Sequence, residues 1–149
     1  MADLVTTITE AVTLNGAVRG TTNTVTTTSI VDVFERILTC AHSNTTTIAT
    51  FASTPHTSAG ALDVENTAYV RITNLSSTDA VNVAIVGTAT NYQVKLRPLS
   101  SHILYNGEEV MVAEADTSPA FSSFEDIASI QARPTGSTDC QVEMFVGLT

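Results

Sequence analysis

Tryptophan is missing from this chain of 149 residues, and cations are scarce: 6 Lys and Arg stand against 15 Asp and Glu, a formal net charge of −9. The six cations, Arg19, Arg36, Arg71, Lys95, Arg97 and Arg133, are scattered. Neutralising a phosphate backbone takes a clustered basic face, so nucleic acid is excluded as a partner. The 2 cysteines, Cys40 and Cys140, are too few for the disulfide framework of a small secreted domain. They are expected to be reduced and mostly buried, with a single bridge between them left open because only the fold says whether their strands meet. No run of about 18 apolar residues occurs, so no membrane span is expected. Met1-Ala2-Asp3-Leu4 offers an acidic residue where a secretory signal has basic ones, so the chain is expected to be made and kept soluble in a cytoplasm. The sequons Asn44-Thr45-Thr46 and Asn74-Leu75-Ser76 then carry little weight.

What the chain does have is apolar residues at 43 % with charged residues at only 14 %, against the usual ~25 % charged. Thr and Ser supply the missing polar surface, and Thr is a good strand residue. One domain of this length buries roughly 68–70 % of its unfolded surface, enough for a core without staples. Between Ala68 and Leu99 three segments alternate with a period of two: Ala68–Leu75, Val81–Ile85 and Tyr92–Arg97. Ala68, Val70 and Ile72 share one face, and Tyr69, Arg71 and Thr73 the other. The turn-rich spacers between segments predict an antiparallel meander.

Further along, Ser101–Tyr105 reads as a short strand, and Asn106-Gly107 as a hairpin turn into Glu109–Ala113. A turn is expected at Asp116–Pro119 and one helical turn at Ser122–Asp126. Ile127–Ala132 and Cys140–Val146 are expected to pair with each other across Pro134–Ser137. Ile30–Ala41 fits either strands or a short helix behind Ser29 and Asp32, and the β-branched residues favour strands around the turn His42-Ser43-Asn44. Ala52–Gly60 reads as a loop. Roughly eight to ten short strands with no βαβ rhythm predict an all-β antiparallel β-sandwich, preferably a jelly roll.

The N-terminus has a different character. Leu4–Leu14 has strand propensity, Asn15-Gly16 is a type I′ turn signal, and Ala17–Gly20 returns from it. Thr21–Ser29 is a Thr tract, either a mobile arm or an extended segment ordered against a neighbour. The expected division is 1–29 as an N-terminal strand and Thr-rich arm, and 30–149 as the β-sandwich domain.

No reactive constellation emerges. Cys40 and His42, with distant Cys140 and His102, supply enough ligand atoms for zinc, but nothing in their spacing selects them. His56 falls in a loop. The acidic pairs Asp63/Glu65, Glu108/Glu109 and Glu125/Asp126 flank loops, where solvated charge is the ordinary state. There is no nucleophile elbow, phosphate loop or calcium loop. Catalytic residues, cofactor and metal are therefore all expected to be absent. Without Trp, a carbohydrate-binding module would rely on Tyr69, Tyr92 and Tyr105, residues commoner as packing.

Tyr69–Leu75, Val81–Ile85, and Tyr92–Pro98 leading to Ser101–Leu104, with the final segments Ile127–Ala132 and Cys140–Val146, resemble small β-sandwich virion structural proteins of tailed bacteriophages. The resemblance covers roughly the last half of the chain and is mainly a strand pattern. It implies a non-enzymatic capsid decoration, or cement, protein on the outside of the shell, commonly a homotrimer, with the major capsid protein or other virion proteins as partners. A tail, baseplate or receptor-binding component is the alternative, and a carbohydrate-binding module the more distant one. The Thr tract then becomes an arm toward a neighbouring subunit. Arg71, Lys95 and Arg97, on faces opposite apolar neighbours, are the candidate partner contacts.

Overall fold

Val81, Val83 and Ile85 are fully buried while Asn82 between them is exposed, the signature of a strand with one face in a core. The computed structural model describes residues 1–55, 60–105 and 126–149. Its strands are β1 (Ala2–Thr9), β2 (Val12–Leu14), β3 (Ala17–Arg19), β4 (Thr22–Ile30), β5 (Asp32–Cys40), β6 (Thr46–Ala52), β7 (Ala61–Asp63), β8 (Thr67–Asn74), β9 (Val81–Val86), β10 (Asn91–Leu96), β11 (Ser101–Tyr105), β12 (Ser129–Pro134) and β13 (Cys140–Leu148). No α-helix occurs among the described residues.

Two sheets pack face to face as a β-sandwich. One is ordered β10-β9-β12-β6-β7 and the other β11-β8-β13-β5. Every pairing is antiparallel except β6 with β7. Ile72, Val142, Met144 and Val146 of the second sheet meet Val81, Val83, Ile85 and Ile130 of the first in a single core, all at 0 % exposure. Complete burial of each such side chain is worth about 1.5–3 kcal/mol.

The all-β expectation holds, but two pairings differ from those the sequence suggests. β8 does not continue into a meander with β9 and β10. It belongs to the other sheet, between β11 and β13, while β9 and β10 form a hairpin. Likewise β12 pairs with β6 and β9, and β13 with β5 and β8, so the last two strands face each other across the core instead of sharing a ladder. The connections 75–80 and 135–139 are long enough to cross the ~10 Å between sheets. A two-residue period shows which side chains face the core and is silent on which sheet carries them.

The ambiguous segment is extended. β5 pairs with β13 over its whole length, its Phe34 and Leu38 half-buried and Cys40 buried, while Ile37, which a helical stripe would bury, is 58 % exposed. The hairpin expected at Asn106-Gly107 and Glu109–Ala113, the turn at Asp116–Pro119, the helical turn at Ser122–Asp126 apart from Asp126, His56 and part of the Ala52–Gly60 loop lie outside the described residues.

The N-terminal 30 residues form a two-stranded ribbon that belongs to neither sheet. β1 pairs with β4, and β2 with β3 in the same register. The Glu10 N–H donates to the Thr21 carbonyl at 2.9 Å between the two pairs, so the ladder continues to the tip. At the tip Asn15 (φ 51°) and Gly16 (φ 79°) are both left-handed, as a type I′ turn requires. Gly20 (φ 127°) lies where a Cβ would collide with the Glu10 carbonyl oxygen. The Thr tract is thus a strand of the ribbon, ordered against β1 of its own chain.

Candidate interaction surfaces

The outer face of the four-stranded sheet carries a connected side-chain cluster. Val70 and Ile72 are drawn into the core, which turns Tyr69, Arg71 and Thr73 outward beside Glu143 and Phe145 of β13. The Arg71 guanidinium donates to Glu143 Oε2 at 2.9 Å and to Thr73 Oγ1, and lies 6.0 Å from the Phe145 ring centre. The Phe145 ring meets Tyr69 edge-on at 5.9 Å. Both members of the ion pair are largely shielded, with side chains 28 % and 20 % exposed. The Arg71 charge is therefore already neutralised within the chain.

The other two candidate cations lie elsewhere. Lys95 alternates with half-buried Val94 and buried Leu96 on β10, so it points outward from the five-stranded sheet, on the opposite face of the sandwich from Arg71. Arg97 is exposed in the connection that follows, its carbonyl accepting from the Asn74 amide at 3.1 Å. The topology gathers these three residues into no common patch, because β8 and β10 lie in different sheets.

Above the Tyr69–Phe145 pair lies the root of the ribbon. Leu4 and Ile30 reach to ordinary contact distance of the space a Cβ on Gly147 would fill, and Tyr69 is only 6 % exposed although it points away from the core. A groove of about 330 Å³ runs between β1 and the sheet, lined by Leu4, Ile8, Tyr69, Arg71, Ile103 and Phe145 among others. Beyond that root the ribbon is bare. Among the described residues the exposed large apolar side chains are Met1, Val5, Ile8, Val12, Leu14 and Val18 on the ribbon, Val31, Val33 and Ile37 at and beside β5, and Leu99. This concentration in the first 37 residues was legible only in part, because a period-two pattern does not tell a buried stripe from an uncovered one.

At one end of the β5–β13 ladder, Cys40 and Cys140 stand directly opposite each other, both buried and both free thiols. Burial pushes the Cys40 thiol up from its ordinary range, against the opposing pull of a hydrogen bond with Thr46. Nearby, the Asp139 carboxylate accepts from the His42 backbone N–H at 2.9 Å and lies 2.7 Å from His42 Nδ1, and these bonds hold its carboxyl below the usual range. His102 is remote from this group, its Nε2 lying 3.3 Å from the Tyr92 hydroxyl. No cluster of three or more His, Cys, Asp or Glu suited to a metal occurs among the described residues.

Asn74, at 0 % exposure, ties the crossing loops together. Its amide donates to the Asp79 and Arg97 carbonyls at 2.8 and 3.1 Å, and its Oδ1 accepts from the Ser76 N–H at 3.0 Å. A side chain so enclosed is no glycosylation acceptor in the folded protein, whatever its sequon.

The geometry therefore defines an all-β sandwich with a protruding, half-seated ribbon. Comparison with protein-family models, with curated proteins and with solved structures found no match.

Proposed function

We propose that the protein is a non-enzymatic virion structural protein, a decoration or cement subunit that binds the outside of an assembled phage capsid and stabilises it, with the major capsid protein as partner and a homotrimer as the working form. The observation that carries this reading is the strand order. With the short edge strand β7 set aside, β5, β13, β8 and β11 in one sheet and β6, β12, β9 and β10 in the other support our reading of the sandwich as a jelly roll, an architecture shared by viral capsid and lectin domains. The fold by itself carries many functions. The virion reading is favoured over the lectin one by a ribbon suited to bridging subunits and by the absence of Trp platforms.

The mechanism is linkage. A subunit that binds the assembled lattice and not its dissociated parts stabilises the lattice by about 2.7 kcal/mol per site when its free concentration is 100 times its dissociation constant. Cryo-electron microscopy of the native particle tests the reading. Density for this sandwich on the shell exterior, and loss of shell resistance to heat when it is removed, are the expected results. Density confined to the tail would replace the cement role with a tail or baseplate one, and a particle lacking the protein altogether would end the virion reading.

A further inference from the structure

We infer that the distal half of the ribbon is a self-association surface, and that its occupant is the β5 margin of a second copy of this chain. The inference supplies the contact surface of the trimer in the reading above and rests on that reading only for the number of copies.

The argument begins with the register. Because β1–β4 and β2–β3 share one register, Leu4, Thr6, Ile8, Glu10, Val12 and Leu14 fall on one face of a continuous ladder with Val25, Thr27 and Arg19. The other face carries Thr7, Thr9, Thr22 and Thr24, their hydroxyls paired at 3.2 Å, with Val5 and Val18 near its two ends. The first face is the more apolar of the two, and its stripe meets two fates. At the root Leu4, Thr6, Val25 and Thr27 are half-buried against the chain's own sheet. Toward the tip the same stripe is bare, Val12 and Leu14 standing 56 % and 55 % exposed. From Leu4 to Leu14 the ribbon is about 35 Å long, and an isolated two-stranded ribbon of this kind is marginal in water.

The complementary surface is on the same molecule. The root lies on the β8 and β11 side of the outer face, beside Tyr69, Ile103 and Phe145, and leaves β5 uncovered. There Val33 and Ile37 are exposed on the sheet's free edge, with Glu35 between them on the same face. The ribbon's stripe carries Arg19, directly across from Val12 and on the tip side of Glu10. Apolar residues flanking an anion on β5 thus match apolar residues flanking a cation on the tip. This contact would prolong the root's own interface on the outer face of the same sheet, with a neighbour's tip continuing where the chain's root stops. The two patches differ, so the contact is heterologous and closes as a ring when the rotation permits.

Sedimentation velocity on the isolated 149-residue chain, with no shell present, tests this independently of any capsid binding. The wild type is expected to self-associate, and Leu14→Asp and Ile37→Asp are each expected to give monomers with unchanged circular dichroism, whereas Leu99→Asp, at an exposed apolar residue outside the proposed contact, leaves association intact. Arg19→Glu and Glu35→Arg are each expected to weaken association about tenfold, and the double variant to restore it, because only a direct pair recovers on exchange of charge. A wild type that stays monomeric from micromolar to millimolar concentration would overturn the proposal. So would an association that Ile37→Asp and Leu99→Asp disrupt alike, or one that the charge exchange fails to restore.

Discussion

The sandwich and the ribbon are built from the same two-residue alternation, yet one buries its apolar face completely and the other leaves half of it in water. Ile85 and Val12 show the difference: each is a β-branched residue on the apolar face of a strand, and one is 0 % and the other 56 % exposed. What separates them is the number of layers. Ile85 lies between two sheets, whereas Val12 has one partner strand and nothing beneath it. Energetically the first region is a cooperative core and the second a surface element whose stability is borrowed at its root from Leu4, Ile30 and the recess left by Gly147.

The largest test of that contrast is truncation in each region. Ile85→Ala is expected to cost about 2–5 kcal/mol in urea unfolding, and Val12→Ala less than about 0.5 kcal/mol in the monomer. Equal losses would show that the ribbon folds as part of the core. Next comes Asn74→Ala, which strips partners from the Ser76 N–H and the Asp79 and Arg97 carbonyls; about 1–3 kcal/mol of stability is expected to go, with amide exchange rising in the connections 75–80 and 97–100. Gly20→Ala sharpens the comparison from the other side. Its φ of 127° and the collision with the Glu10 carbonyl should speed amide exchange throughout the ribbon while the urea midpoint of the sandwich stays in place. If that midpoint fell with it, the two regions would be one cooperative unit.

The smallest effect concerns pH. The Asp139 carboxyl is held low, first by the His42 backbone N–H and then by the His42 side chain. A depressed carboxyl contributes stability that is present above its unfolded value, near 3.9, and lost as pH falls through the lower folded value. Asp139→Asn should therefore lower the thermal midpoint slightly at neutral pH, and the difference from wild type should vanish in strong acid. A difference that instead grew in acid would contradict this assignment.

Much of the strand content was legible. The inward sets Val70/Ile72, Val81/Val83/Ile85 and Cys140/Val142/Met144/Val146 follow from alternation, and the turn at Asn15-Gly16 from its dipeptide. The candidate contacts Arg71, Lys95 and Arg97 were legible as outward-facing. What could not be read is that Arg71 is neutralised by Glu143, 72 positions away, and that Lys95 occupies the opposite face. Alternation is a local property, and both facts depend on which strands the sheets place side by side.

By itself, then, the sequence determined an all-β chain, the polarity of each strand face and a Thr-rich N-terminal segment unlike the rest, since these follow from composition and a two-residue period. The tertiary structure alone decided that β8 and β9, and β12 and β13, lie in opposite sheets, that Cys40 meets Cys140, and that the ribbon's stripe is covered at its root and open at its tip. Each of these depends on contacts between residues distant in the chain, and no local pattern encodes them.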